Sequence, residues 1–372
     1  MLRAALVSAV CALGPGLAFA EVPRVVTDIA PVHSLVAQVM KGVGTPGLLM
    51  DQGADAHHFS LRPSQARALQ NAELVVWIGP EMTPWLDAAL AGGGKRRVLS
   101  LLAAEGTARQ SYAEPHDHAA HVAQAKVAGA GDGHDHGDHG HDDAHDHDHA
   151  KQADHDGHDQ GHHDTPHHDD HDHDHAGHDH DADHAGHEHG DDHGHSHNGL
   201  DPHAWLNPAN AVAWLGLIAG ELAALDPENA AQYRANAEAA GRAIMLLEAE
   251  IAAELAAHAE TPFVVAHDAY GYFASHFGLH LAGAIAGGDA AAPGAARLRE
   301  LREEMKAEGA VCAFPEVGRE ARLVALVVEG SETRLGGALD PEGREIEPGP
   351  ALYGELMARM SKTIAECLSA KG

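Results

Sequence analysis

The 372-residue chain is long enough for two or three domains, and its formal net charge of −32 at pH 7 excludes nucleic acid as a partner. Aromatic residues make up only 4% of it, yet Ala, Val and Leu are plentiful enough to build a core.

The first twenty residues read as a secretory signal. Arg3 supplies the positive end, an apolar run follows from Ala4 to Leu17, and Ala18-Phe19-Ala20 is a small-x-small cleavage site. The run is too short to span a bilayer, and no later segment is read as long and apolar enough to do so. A soluble, exported protein starting near Glu21 is expected, in the periplasm. Cys312 and Cys367 then remain, and in an oxidising compartment they are expected to pair. Two buried free thiols are the alternative.

Short apolar runs alternate with helical patterns. Residues 24–28, 45–50, 74–78 and 97–101 read as strands, and 31–40, 63–71 and 83–90 as helices, each opened by Pro in its first turn. From about residue 113 to 198 the pattern stops. Twenty-seven of the 35 His lie between His116 and His197, with 22 carboxylates and two Lys, so that stretch alone carries −20 of the net charge. It holds too few apolar residues to offset its ordering entropy and is expected to be disordered without metal.

After the insertion, 208–225 reads as an apolar helix. Residues 227–258 read as one long helix capped by Asp226 and opened by Pro227. At 1.5 Å per residue it would reach about 45 Å, which suits a connector between lobes rather than a crossover. Strands at 263–266, 279–285 and 311–314 then alternate with helices at 269–277, 294–308, 319–328 and 353–368. The predicted fold class is α/β: two lobes with mainly parallel sheets joined by one long rigid helix. The boundaries are an N-terminal lobe at 21–226 containing the insertion, the connector at 227–258 and a C-terminal lobe at 259–372.

Eight His lie outside the insertion, and three of them occupy suggestive places. His57 lies in a loop between a strand and the helix opened by Pro63, with His58 beside it. His203 precedes a helix, in Asp201-Pro202-His203. His267 follows the strand 263–266. Ligands of open α/β sheets bind beyond the carboxyl ends of the strands, where these loops could present three imidazoles. Asp340 could add an oxygen from the second lobe. Three imidazoles with a carboxylate or water form a tetrahedral shell suited to Zn²⁺, whereas Asp340 as a ligand would harden the shell towards Mn²⁺. A His-rich tract is itself a metal-binding composition.

Taken together, His57 to Ser64 (His-His-Phe-Ser-Leu-Arg-Pro-Ser), Asp201 to Pro208, His267 to Phe273 (His-Asp-Ala-Tyr-Gly-Tyr-Phe), Asn71 to Met82 and the Cys312/Cys367 pair resemble the zinc-specific solute-binding proteins of bacterial ABC uptake transporters. The resemblance spans nearly all of the mature chain. It implies two lobes around a rigid helix with zinc in the cleft, and a His-rich acidic loop where the insertion stands. It selects His57 rather than His58 as first ligand, with His203 second and His267 third. The residue before the first His is a Glu ligand in some relatives but Ala56 here, so Asp340 or water is expected in fourth place. Asp268 and Glu316 are candidates to orient the rings.

The expected function is zinc capture and delivery to a membrane permease, by a monomer that could also exchange zinc with periplasmic chaperones. The insertion is expected to add weaker zinc sites. A zinc buffer or chaperone is the main alternative. A zinc hydrolase is disfavoured by the lack of a His-Glu-x-x-His run and of a paired general base.

Overall fold

The computed structural model describes residues 21–57, 59–112, 199–287 and 294–370. The signal segment, His58 and the His-rich insertion lie outside the described residues. In chain order the N-terminal lobe contains β1 (Val25–Thr27), α1 (Ala30–Val39), β2 (Gly47–Leu48), α2 (Pro63–Asn71), β3 (Leu74–Trp77), α3 (Pro84–Leu90), β4 (Arg97–Ser100) and α4 (Pro208–Leu225). Helix α5 (Ala230–Leu255) follows. The C-terminal lobe contains β5 (Phe263–His267), α6 (Gly271–Phe277), β6 (Leu281–Ala286), α7 (Ala295–Glu308), β7 (Cys312–Phe314), α8 (Ala321–Val328), β8 (Arg334–Leu335) and α9 (Leu352–Ser369).

Each lobe carries a four-stranded sheet whose strand pairs are all parallel, ordered β2-β1-β3-β4 and β6-β5-β7-β8. The central strands read as uninterrupted apolar runs because helices cover both faces. β3 and β5 are buried along their whole length. Gly278 and Gly309 end α6 and α7 in the left-handed region, at φ +65° and +67°, where a side chain would be strained.

The connector forms where the sequence places it. Short 3₁₀ turns at Pro227–Asn229 and Ala256–His258 extend α5 at both ends. The buried Asp226 carboxylate accepts from the Asn229 amides and from the Tyr233 hydroxyl at 2.8 Å, which locks the first turn. A single apolar core runs through β1, α1, α4, α5, β5 and α9, so the lobes share one interior. Helix α9 returns from the C-terminal lobe to pack on both α5 and α1. The Cys312–Cys367 disulfide, with Cα atoms 6.3 Å apart, ties it to β7.

Three points depart from the sequence reading. Helix α4 is long and apolar enough to cross a membrane, with mean hydropathy 1.4, contrary to the sequence reading. It is instead a core helix: Trp214, Leu215, Ile218 and Leu222 are buried, and it packs along α5 and α1. Strand β8 was not anticipated, because two residues are too few to show alternation. His267 is also the last residue of β5 rather than the first beyond it.

Candidate metal centre

The carboxyl ends of the strands bring together the three imidazoles singled out from sequence. The ring centroids of His203 and His267 are 5.1 Å apart, and those of His57 and His203 are 6.2 Å apart. The other described His do not join them. His33 is a core residue whose Nε2 lies 3.2 Å from the Pro46 carbonyl. His258, His276 and His280 pair with Ser369, Glu248 and Glu308 elsewhere.

Each ring is placed by local chemistry. His203 lies in the turn that opens α4. Asp201 accepts from its backbone N–H at 2.9 Å and faces its Nδ1 at 2.8 Å through the same oxygen. A 3₁₀ turn at Ala204–Leu206 follows, and Asn207 caps α4 by accepting from the Ala209 N–H. The Trp205 indole donates to the Pro341 carbonyl at 2.8 Å, joining this turn to the C-terminal lobe. The second Asp201 oxygen accepts from the Gln110 amide at 3.3 Å, and the Tyr272 hydroxyl donates to the Asp201 carbonyl.

His267 ends β5, at the point where β6 and β7 diverge on its two sides, and its Nδ1 faces Glu316 at 3.3 Å. Glu316 also accepts from Tyr270 at 2.9 Å and from Arg319 at 2.8 Å. Burial pushes the Glu316 carboxyl up, but His267, the Arg319 charge and the Tyr270 hydroxyl together bring it down to about 2. Burial pushes the His267 imidazole down, against the pull of Glu316. An anionic carboxylate can only accept, so it fixes the proton on Nδ1 and leaves the Nε2 lone pair for a metal. Nε2 of all three rings is shielded from solvent, and that of His267 has no hydrogen-bond partner among the described residues.

Two imidazoles on one tetrahedral zinc would have centroids ~5 Å apart, given Zn–N distances of about 2 Å. His203 and His267 meet that spacing as they stand. His57 lies farther out, and among the described residues no three His, Cys, Asp or Glu already form a metal-holding group. The loop bearing His57 begins with Asp55 accepting from the His57 N–H at 2.9 Å. Ala56 precedes the ring, buried and without a carboxylate to offer.

Asp340 is engaged in a turn. Its two oxygens accept from the backbone N–H groups of Arg344 at 2.8 Å and Glu345 at 3.0 Å. Buried beside this turn, Glu342 forms a two-point pair with Arg344. Burial pushes the Glu342 carboxyl up, opposed by the Arg344 charge. Of the two orienting candidates, Glu316 contacts a site ring. Asp268 contributes its backbone N–H to Ala286, and its carboxylate makes no hydrogen bond to a site imidazole. The sequence reading missed Asp201 and Arg319 as partners. A carboxylate two residues before a candidate ligand, with Pro between them, is the signal that marks Asp201 in retrospect. Arg319 is three residues from Glu316 but gives no such sign.

The family described as zinc-uptake complex component A, periplasmic (ZnuA) matches residues 25–367. The chain is 47% identical over 352 residues to the high-affinity zinc uptake system protein ZnuA of Paracoccus denitrificans, covering 94% of this chain and 93% of that one. It is 38% identical to the protein of the same name in Brucella suis, covering 93% and 91%. Among solved structures, the solute-binding protein FpvC from Pseudomonas aeruginosa in complex with Mn²⁺ shares the fold, with TM-score 0.64, 18% identity and coverage of 95% and 100%.

Proposed function

The chain belongs to the ZnuA family of periplasmic zinc-uptake components, and from that premise we propose that His57, His203 and His267 hold its Zn²⁺ cargo in the inter-lobe cleft for delivery to the permease of an ABC-type transporter. This is a family of transport components rather than enzymes, which sets the hydrolase alternative aside. The observation that carries the ligand assignment is the His203–His267 pair. The two rings stand at zinc spacing, and each Nδ1 faces a buried carboxylate. Imidazoles held this way suit Zn²⁺ better than Mg²⁺ or Ca²⁺, which prefer hard all-oxygen shells.

Water or Asp340 completes the shell. The two backbone hydrogen bonds that Asp340 already accepts favour water. The shared core and the disulfide-tied α9 favour small local movements over wide lobe closure, with the His57 loop moving most. The permease would then read a metal-ordered cleft, which requires the loaded and empty states to differ in their contacts with it. Residues 1–20 direct export, and N-terminal sequencing of periplasmic protein should start near Glu21.

The insertion adds weaker zinc sites to the one in the cleft. The residues that flank the insertion meet where Ser111 bridges Leu200 and Tyr112 donates to Gly199, so it can be excised at a closed base. Counting bound zinc with and without residues 113–198 tests this reading. Several equivalents falling to one support it, and one equivalent in both sinks it. The cleft assignment is tested by zinc affinity in the His203→Ala and His267→Ala variants, whose unchanged affinity would refute it.

A further inference from the structure

We propose that Trp85 is a positioning residue for zinc capture, acting through the loop that carries His57. The inference rests on His57 being a zinc ligand, as proposed above. Among the three rings His57 stands farthest from the zinc spacing, so its approach to the metal is the step most open to control. The indole Nε1–H of Trp85 donates to the Ala56 carbonyl at 2.8 Å, one peptide unit from His57. The same indole meets Phe59 edge to face, with ring centroids 5.1 Å apart. Trp85 therefore grips the loop on both sides of His57, before it at Ala56 and after it at Phe59.

The grip has a firm base. Trp85 lies in the first turn of α3, which opens at Pro84 and packs through the buried Leu86 into a core formed by Val26, Val75 and Trp77 of the sheet. The Ala56 methyl is fully buried beneath the loop. The hydrogen bond fixes the peptide that precedes His57 and so limits the directions its ring can take. A loop held at one carbonyl can still turn its ring inward without losing that bond. Losing the donor would free the peptide, and part of the binding free energy would then go into ordering it.

The test uses the full mature chain labelled with 5-fluorotryptophan, with zinc buffered by a chelator and the cleft read by the Trp205 resonance. The Trp205 ring lies 5.3 Å from His203, and residues 113–198 contain no Trp, so the signal reports the cleft rather than the insertion. Trp85→Phe keeps an aromatic ring but removes the donor. It should weaken zinc binding about three- to tenfold, mainly through faster release. In a His57→Ala background the same substitution should change nothing further. If His57→Ala weakens binding but Trp85→Phe does not, or if the two losses multiply, the positioning role is overturned. If His57→Ala itself leaves affinity intact, the ligand reading fails instead. A second measurement leaves Trp85 in place. In protein labelled with 5-fluorotryptophan, the Trp85 resonance should shift on zinc addition in the parent and stay still in His57→Ala. A resonance indifferent to zinc in the parent would contradict the proposal.

Discussion

The two sheets share one strand order but end differently. β2-β1-β3-β4 and β6-β5-β7-β8 correspond strand for strand, so β1 and β5 occupy the same place, beside the strand where the winding reverses. Just beyond β1 stands Asp28, fully buried, accepting from the N–H groups of Ile29 at 2.8 Å and Ile78 at 2.9 Å and from the Thr83 hydroxyl. At the end of β5 stands His267, backed by Glu316 and turning Nε2 away from any protein partner among the described residues. One lobe spends its switch point on closing its own backbone. The other keeps a lone pair in reserve there. The topology supplies the place, and the residue standing in it decides whether that place is structural or functional.

Breaking this comparison gives graded outcomes. His203→Ala removes a ligand and should cost about 100-fold or more in cleft zinc affinity, measured by chelator competition. Glu316→Gln leaves His267 in place but weakens the group that fixes its tautomer, so the loss should be about 10- to 100-fold. Asp28→Asn should do the opposite. Zinc affinity stays within about twofold, while unfolding in urea shows a loss of ~1–3 kcal/mol from disturbed buried hydrogen bonds. A zinc defect in Asp28→Asn equal to that of Glu316→Gln would erase the distinction between the lobes.

The pH dependence sharpens the same contrast. Burial raises the Asp28 carboxyl from 3.8 to about 6, against the pull of its hydrogen bonds. The folded state therefore binds this proton more tightly than the unfolded state, and the parent should lose stability relative to Asp28→Asn as pH rises from about 4 to 6. The Glu316 carboxyl moves the other way, from 4.5 to about 2, so its contribution is present above pH 4.5 and lost as pH falls towards 2. Urea unfolding across pH 3 to 7 checks both signs. The smallest effect is expected for Asp340→Asn, with zinc affinity within about threefold of the parent and a loss of ~1 kcal/mol from the turn it holds. A large zinc loss there would restore Asp340 as the fourth ligand.

Much of this was legible in the sequence, for identifiable reasons. Pro63 to Asn71 and Pro208 to Leu225 were bounded correctly because Pro opens each helix and the apolar pattern ends cleanly. The connector followed from Asp226, Pro227 and an unbroken Ala- and Glu-rich run. The Cys312–Cys367 pair needed only the compartment and the count; its loop of 55 residues is worth about 4 kcal/mol in the chain-entropy model. The three site His stood out because each lies at a strand end or a helix start, and the family resemblance then chose His57 over His58. Partners far apart in sequence stayed hidden, since nothing local joins Trp85 to Ala56 or Gln110 to Asp201. The turn held by Asp340 was also hidden, because a carboxylate that caps backbone amides looks the same in sequence as one that awaits a metal.

The central claim is that the cleft, not the insertion, holds the transported zinc. Titrating Zn²⁺ and Mn²⁺ into metal-free protein lacking residues 113–198, beside the same protein with His203→Ala, tests it most directly. The account predicts one tight zinc site, weak manganese binding and loss of that site in the variant. A protein without any tight site would contradict it and leave the metal chemistry to the insertion, while manganese bound as tightly as zinc would contradict the three-imidazole shell.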